Sequence, residues 1–246
     1  ETAVTIYLIG TSRLLLKPLS AIVRGSSSSG KSYTLEKVAE LFPPEAVISA
    51  KQMTPQALFH MPEGSLRHRW VVAGERSRKE DDGTAEATRA LREMLSSGTL
   101  SKLMPVKSGQ TIETRLIEQQ GPIAFCETTT LGQIFDEDAN RSILLATDES
   151  QAQTMRIFRG LAESHIGKQS NTQRAKLLHH TLQRLLPTGA TARIPYADRL
   201  AKLFPTKRVE ARRAFGQLLG FLQASALLHH GQRQRDPDGA ILADRN

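Results

Sequence analysis

Residues 25–32 read Gly-Ser-Ser-Ser-Ser-Gly-Lys-Ser and fit G-x-x-x-x-G-K-[ST] at every fixed position, the pattern of a phosphate-binding loop. A triphosphate needs several backbone N–H donors converging on it, which calls for a tight loop of small side chains with glycine where the dihedrals are unusual. Gly25, Ser26, Ser27, Ser28, Ser29 and Gly30 meet that need. Lys31 has the length to reach β- and γ-phosphate oxygens, and the Ser32 hydroxyl is placed for Mg²⁺. The positive end of a following helix would add to the field. ATP and Mg²⁺ are therefore the expected cofactors. Such a loop alone hydrolyses nothing; it needs an acid near the metal and the water. Glu75, closing the apolar run Trp70–Ala73 after Gly74, is the expected acid, polarising water and, with Ser32, facing the metal.

These residues need elements to hold them. Leu19–Val23 is a short run of branched apolar residues that predicts a buried strand, and Tyr33, Leu35, Val38, Ala39 and Leu41 have helical spacing. A Gly/Ser linker would not lie between two such segments. Upstream, Val4–Leu16 predicts a leading helix closed by Lys17-Pro18. Downstream, Phe42–Pro44 stops the loop helix, Ala46–Ser49 predicts a second strand, and Thr54-Pro55 opens a short helix. Trp70–Ala73 is the third strand, and Thr84–Ser96 a helix stopped by Gly98. Thr99–Val106 and Thr111–Gln119 form a hairpin across Lys107–Gln110. Pro122–Cys126 and Ser142–Thr147 are the last two core strands. Strands interleaved with helices predict an α/β fold with a parallel sheet.

From about Gln151 the chain becomes helical and basic. Pro187–Ala190 marks a boundary, two or three helices follow from Ile194 to His230, and Asp236–Gly239 is the turn of a small hairpin or wing. The expected organisation is a core over 1–150, a helical connector over 151–190, and a winged-helix-like unit over 191–246.

The chain has 246 residues, 39% of them hydrophobic, enough to bury one large core and a smaller one. No stretch approaches the roughly 20 apolar residues that span a bilayer, and no signal-peptide pattern opens it. A soluble, cytoplasmic protein without membrane partners is expected, and Glu1 in place of Met suggests a piece of a longer chain. The single cysteine, Cys126, leaves no internal disulfide or Cys-rich zinc site. The pairs His179–His180 and His229–His230 lack metal-ligand spacing and are expected at solvated helix ends. A net charge of +8 points to a polyanion such as nucleic acid. With aromatics at 5%, contact with its backbone is expected before base stacking.

The order of parts over roughly residues 19–150 resembles the AAA+ ATPases with a hairpin inserted before sensor 1, in particular MCM-like replicative helicases and the primase-helicases of phages and mobile elements. The stretch from Leu91 to Thr130, a helix, a hairpin and a sensor strand in sequence, carries that likeness. The resemblance implies an AAA+ core followed by a winged helix, and a bacterial or phage-infected cell as the setting. It implies that Gly30, Lys31 and Ser32 hold nucleotide and Mg²⁺, that Glu75 is the Walker B glutamate, and that Thr128 is the sensor 1 group, with Thr129 and Thr130 adjacent to it. Arg141 falls at the place of an arginine finger that enters a neighbouring subunit's site. Such a finger demands a head-to-tail ring or filament, a hexameric ring being expected. The usual Walker B pair is Asp-Glu, but its first member here is Gly74, so the metal contact would come through water or from Asp81 or Asp82.

Lys107 at the hairpin turn, with Lys102 and Arg115 on its arms, would track DNA phosphates in a pore without reading sequence. Arg212 and Arg213, amid Arg199, Lys202, Lys207 and Arg208, offer a second DNA contact on the winged-helix-like unit. The expected function is an ATP-driven DNA helicase or translocase acting on single-stranded or forked DNA. The alternative is an ATPase that remodels or loads a DNA-bound protein without unwinding, and a small-molecule kinase is a distant third.

Overall fold

The computed structural model describes residues 1–51, 57–75, 82–108, 111–131, 140–167 and 172–244, with the backbone alone at 82–89 and 108. In chain order the first part comprises α1 (Thr2–Thr11), β1 (Ser20–Arg24), α2 (Lys31–Ala39), β2 (Val47–Ala50), β3 (Arg69–Glu75), α3 (Asp82–Ser97), β4 (Thr99–Ser108), β5 (Thr111–Gln120), β6 (Ile123–Thr129) and β7 (Ile143–Ala146). The five strands outside the hairpin make one parallel sheet in the order β2-β3-β6-β1-β7. Helices cover both faces, which is why its strands read as continuous apolar runs with no alternation. The opening of the helix expected at Thr54-Pro55 falls outside the described residues, which resume in a 3₁₀ helix, Ala57–His60.

Side-chain alternation along the strands builds two cores. On one face Ala21, Val23, Trp70, Val72, Ala124 and Cys126 meet α1 and α2. On the other, Val71, Ala73, Ile123 and Phe125 meet Met94 and Ala90 of α3 together with Leu58, Phe59 and Leu66. Trp70 is fully buried, edge-on to Phe42 at 4.7 Å between ring centroids. Gly10 of α1 makes room for this pair, since a Cβ there would lie 2.7 Å from atoms of both rings. Burial pushes the Cys126 thiol up to about 12, so it packs as a small apolar group.

The leading helix is shorter than its apolar pattern predicts. It ends at Thr11 and passes into a 3₁₀ turn, Ser12–Leu14. Ser12 explains this: its hydroxyl donates to Ile9 O at 2.6 Å and accepts from Leu19 N at 2.8 Å, competing locally with the helix backbone.

The second part comprises α4 (Gln151–His165), α5 (Thr172–Leu185), β8 (Ala192–Arg193), α6 (Ala197–Leu203), α7 (Ala211–Leu228) and β9 (Ile241–Leu242). It shares a core with the start of the chain, where Leu14 and Leu15 pack with Leu186, Ala224, Leu227 and Ile241. The α5 contact is largely polar. Buried Arg13 donates to Gln183 Oε1 at 2.6 Å, and Gln183 Nε2 donates to Thr11 Oγ1 at 2.9 Å. Burial lowers the Arg13 guanidinium to about 10. His179 and His180, expected at a solvated helix end, instead lie within α5 and fasten it. His179 Nδ1 is 2.9 Å from Tyr7 Oη, and His180 Nε2 donates to Glu40 O at 3.0 Å. Leu177 and Leu178 on the same helix are exposed.

The expected wing has its turn, with Asp236 Oδ1 accepting from the backbone N–H of Asp238 and Ala240 and Gly239 at φ +83°. Antiparallel pairing across it reduces to one bridge, Arg235 to Ile241, while β9 pairs parallel to β8. Among the described residues no helix is long and apolar enough to cross a membrane.

Candidate nucleotide site and hairpin

The loop residues, Glu75 and Thr128, the groups expected to handle nucleotide apart from Arg141, lie at or just beyond the carboxyl ends of β1, β3 and β6, the edge where open α/β sheets bind ligands. The loop from Gly25 to Gly30 joins β1 to α2. Gly25 has no room for a side chain, because a Cβ would sit 2.1 Å from Thr147 Oγ1, just past β7. Ser28 (φ +65°) and Gly30 (φ +84°) hold the left-handed conformations that turn N–H groups inward. The α2 N-terminus has no side-chain cap and no acid in its first turn, which leaves its donors and positive end for an anion. Lys31, only 6% exposed, donates from Nζ to Gly25 O (3.0 Å) and Ser26 O (2.6 Å).

Glu149 also belongs to this loop, and sequence reasoning missed it. Its Oε1 accepts from Ser26 N at 2.8 Å and from Thr147 Oγ1 at 3.3 Å. The Ser26 backbone N–H, foremost, holds its carboxyl below the usual range. The signal available was an acid a few residues beyond the last core strand.

On the acid side, β3 carries an irregularity against β6. Val72 pairs with Cys126 and Glu75 with Thr128, so β3 spends one residue more than β6. This bulge sets Glu75 beside Thr128, where strict alternation would have set Gly74. The threonines at the end of β6 divide their work. Thr130 Oγ1 donates to Glu75 Oε1 at 2.5 Å, and Thr129 Oγ1 accepts from Leu131 N at 3.1 Å. Thr128 is 1% exposed, and its hydroxyl has no hydrogen-bond partner among the described residues. It lines a cleft of about 270 Å³ together with Ser32, Glu36, Lys51, Gly74 and Glu75.

Gly74 is where an Asp-Glu pair would have its aspartate, and the packing forbids one. A Cβ there would lie 1.9 Å from Lys51 O, a backbone atom at the end of β2. Gly74→Ala should therefore destabilise the protein by about 1–3 kcal/mol through forced separation of the β2 and β3 ends. Urea denaturation of both proteins measures it, and an unchanged midpoint would show that the Lys51 backbone yields freely. The expected substitutes are not visible, as Asp81 lies outside the described residues and only the backbone of Asp82 is described. Among the described residues no group of three or more His, Cys, Asp or Glu forms a metal cage. Ser32, Glu75 and the unpartnered Thr128 hydroxyl instead suit an ion that arrives on phosphate, as Mg²⁺ does.

Arg141 lies at the other end of the sheet. Its carbonyl accepts from Ser20 Oγ at 2.9 Å, so it stands at the amino end of β1 while the loop leaves the carboxyl end. The length of β1 between them is roughly 13 Å at 3.3 Å per residue, more than an arginine side chain spans. Its Nε donates to Ser96 Oγ at 3.2 Å.

The hairpin β4–β5 pairs in full antiparallel register from Thr99 with Gln120 to Ser108 with Thr111. Residues directly opposite share a face, and this separates the three expected DNA contacts. Lys107, opposite Ile112, is on the outer face with the Leu103–Leu116 pair, and those three apolar residues are 57–74% exposed. Lys102 and Arg115 belong to the other face. Lys102 Nζ lies 5.7 Å from the Phe59 ring centroid, and Arg115 Nη2 donates to Glu113 Oε2 at 3.2 Å. Arg212 and Arg213 are exposed in the first turn of α7, where their charge adds to the positive end of the helix.

No protein-family model matches this chain, and no curated protein matches it.

Proposed function

We propose that the chain is an AAA+-type ATPase that drives a DNA helicase or translocase. The observation that carries the reading is the convergence of the uncapped Gly25–Ser32 loop, Glu75 and the unpartnered Thr128 hydroxyl on neighbouring strand ends. In this reading the loop N–H groups and Lys31 grip the β- and γ-phosphates, Lys31 exchanging the carbonyls of Gly25 and Ser26 for phosphate oxygens. Thr128 positions a water against the γ-phosphorus, and Glu75 accepts its proton as the new P–O bond forms. The bond from the γ-phosphorus to the bridging oxygen breaks, leaving ADP and phosphate. Ser32 and Glu75 would hold Mg²⁺, which would supply neutralisation of the phosphate charge. Arg141, out of reach of its own loop, serves the neighbouring subunit's site, which makes a head-to-tail ring, hexameric in this reading, the working unit. The C-terminal helices act as the winged-helix-like unit, the setting is the cytoplasm of a bacterial or infected cell, and DNA passes the hairpins.

Lys107 decides between motor and remodeller. Lys107→Ala should stop unwinding of a forked duplex while DNA-independent ATPase stays near the wild-type rate. It should also flatten the salt dependence of single-strand binding by about 0.7 per lost phosphate contact in the log–log slope. The remodelling reading has one observation in its favour, the apolar Leu103, Ile112 and Leu116 around Lys107, a surface better suited to protein than to phosphate. Unchanged unwinding in Lys107→Ala would favour it.

A further inference from the structure

The cleft holds a second carboxylate that has no part in the reading above. Glu36 stands one turn after Ser32 on α2; side chains four apart share a helix face, with Cβ atoms about 6 Å apart. Both line the cleft that Glu75 and Thr128 close from the strand side. Two further observations bear on the ligand. Gly74 cannot carry the aspartate that would otherwise stand there, because Lys51 O fills the space. The Thr128 hydroxyl, nearly inaccessible and lining the cleft, has no partner among the described residues, and a buried hydroxyl without a partner is expensive unless a ligand or water completes it.

We infer that Glu36 is the carboxylate that completes the divalent-cation site, doing from α2 what Gly74 cannot do from β3. The inference rests on the ATPase reading. Mg²⁺ keeps several waters and takes one or two carboxylates beside phosphate oxygens, which is what Ser32, Glu36 and Glu75 offer together. Lys51 also lines the cleft, a positive charge that complements the negative charge phosphate brings.

Binding of a fluorescent ADP analogue (mant-ADP), titrated with Mg²⁺, tests this without reference to turnover. Glu36→Gln should raise the Mg²⁺ concentration for half-maximal binding about tenfold or more, the effect of losing one group that orients a metal. Its affinity for the analogue in EDTA should equal that of the wild type. Glu36 is exposed, so the melting temperature should barely change, and a melting curve for each variant separates a site effect from a folding defect. An Asp81→Asn/Asp82→Asn protein is titrated beside it. A Glu36→Gln curve that overlays the wild type would overturn the assignment, and so would a shift seen only in the Asp81/Asp82 variant, which would move the role to those aspartates. A wild-type protein that binds mant-ADP with no Mg²⁺ dependence, or does not bind it, would instead remove the ATPase reading itself, an outcome distinct from the other two.

Discussion

Lys31→Ala is expected to abolish ATP binding and hydrolysis, while Glu75→Gln binds ATP like the wild type and loses about 10²–10⁴-fold in turnover, the usual range for a missing general base. The two substitutions separate the two halves of the site. Lys31 is nearly buried, and its ammonium donates to Gly25 O and Ser26 O at the neck of the loop. Removing it takes away the cation that meets the phosphates and also loosens the loop that presents the N–H donors. Lys31→Met, which keeps the aliphatic stem, distinguishes these effects: if it too fails to bind, the charge is what matters. Among the described residues Glu75 accepts from Thr130 Oγ1, a bond that glutamine can keep through its amide oxygen, so glutamine should fit without disturbing the phosphates. Calorimetric titration with a non-hydrolysable ATP analogue, beside phosphate release, reads both. Equal ATPase in wild type and Lys31→Ala would sink the assignment of this site.

Much of this arrangement could be read from the chain, for physical reasons that also mark where reading stops. The central parallel strands were legible because burial on both faces makes them largely apolar runs bounded by Pro, Gly or charge, as in Leu19–Val23 and Pro122–Cys126. The loop was legible because its chemistry dictates residue types at fixed spacing. An isolated glycine in a strand signals a bulge or a close backbone approach, and Gly74 proves to have both, yet nothing in the residues says that Lys51 is the neighbour or that Glu75 is thereby turned toward Thr128. The α5 interface was not legible, since Arg13, Gln183, His179 and His180 hold it through long-range polar contacts that leave no apolar stripe. Glu149 and Glu36 escaped for a similar reason. Each is an ordinary acid in the sequence and gains a role only from what the topology places beside it, the Ser26 N–H in one case and the Thr128 cleft in the other. On the hairpin, spacing alone grouped Lys102, Lys107 and Arg115, and only the register divides them between two faces.

Arg141→Ala should leave nucleotide affinity per subunit nearly intact and lower ATPase by about 10³-fold or more, the range for a lost arginine finger. Position within the sheet makes this a sharp test. Arg141 is at the amino end of β1 and β7, and its own loop is at the carboxyl end, so a large loss of ATPase cannot come from a contact within one chain. One local contact it makes, Nε to Ser96 Oγ, is an exposed hydrogen bond, whose removal is expected to change stability by about 1 kcal/mol. A fall of 10³-fold in rate with a nearly unchanged melting temperature would thus locate the effect in a neighbouring subunit. The decisive measurement mixes Arg141→Ala subunits with Lys31→Ala subunits, each inactive alone. In a head-to-tail ring each interface joins one subunit's loop to the next subunit's arginine, and in an equal mixture about one interface in four has both parts intact. Activity should therefore reappear on mixing and depend on the ratio of the two variants. If assemblies are shown to exchange subunits and the mixture stays inactive, Arg141 is not a finger, and the case for a ring loses its only structural argument.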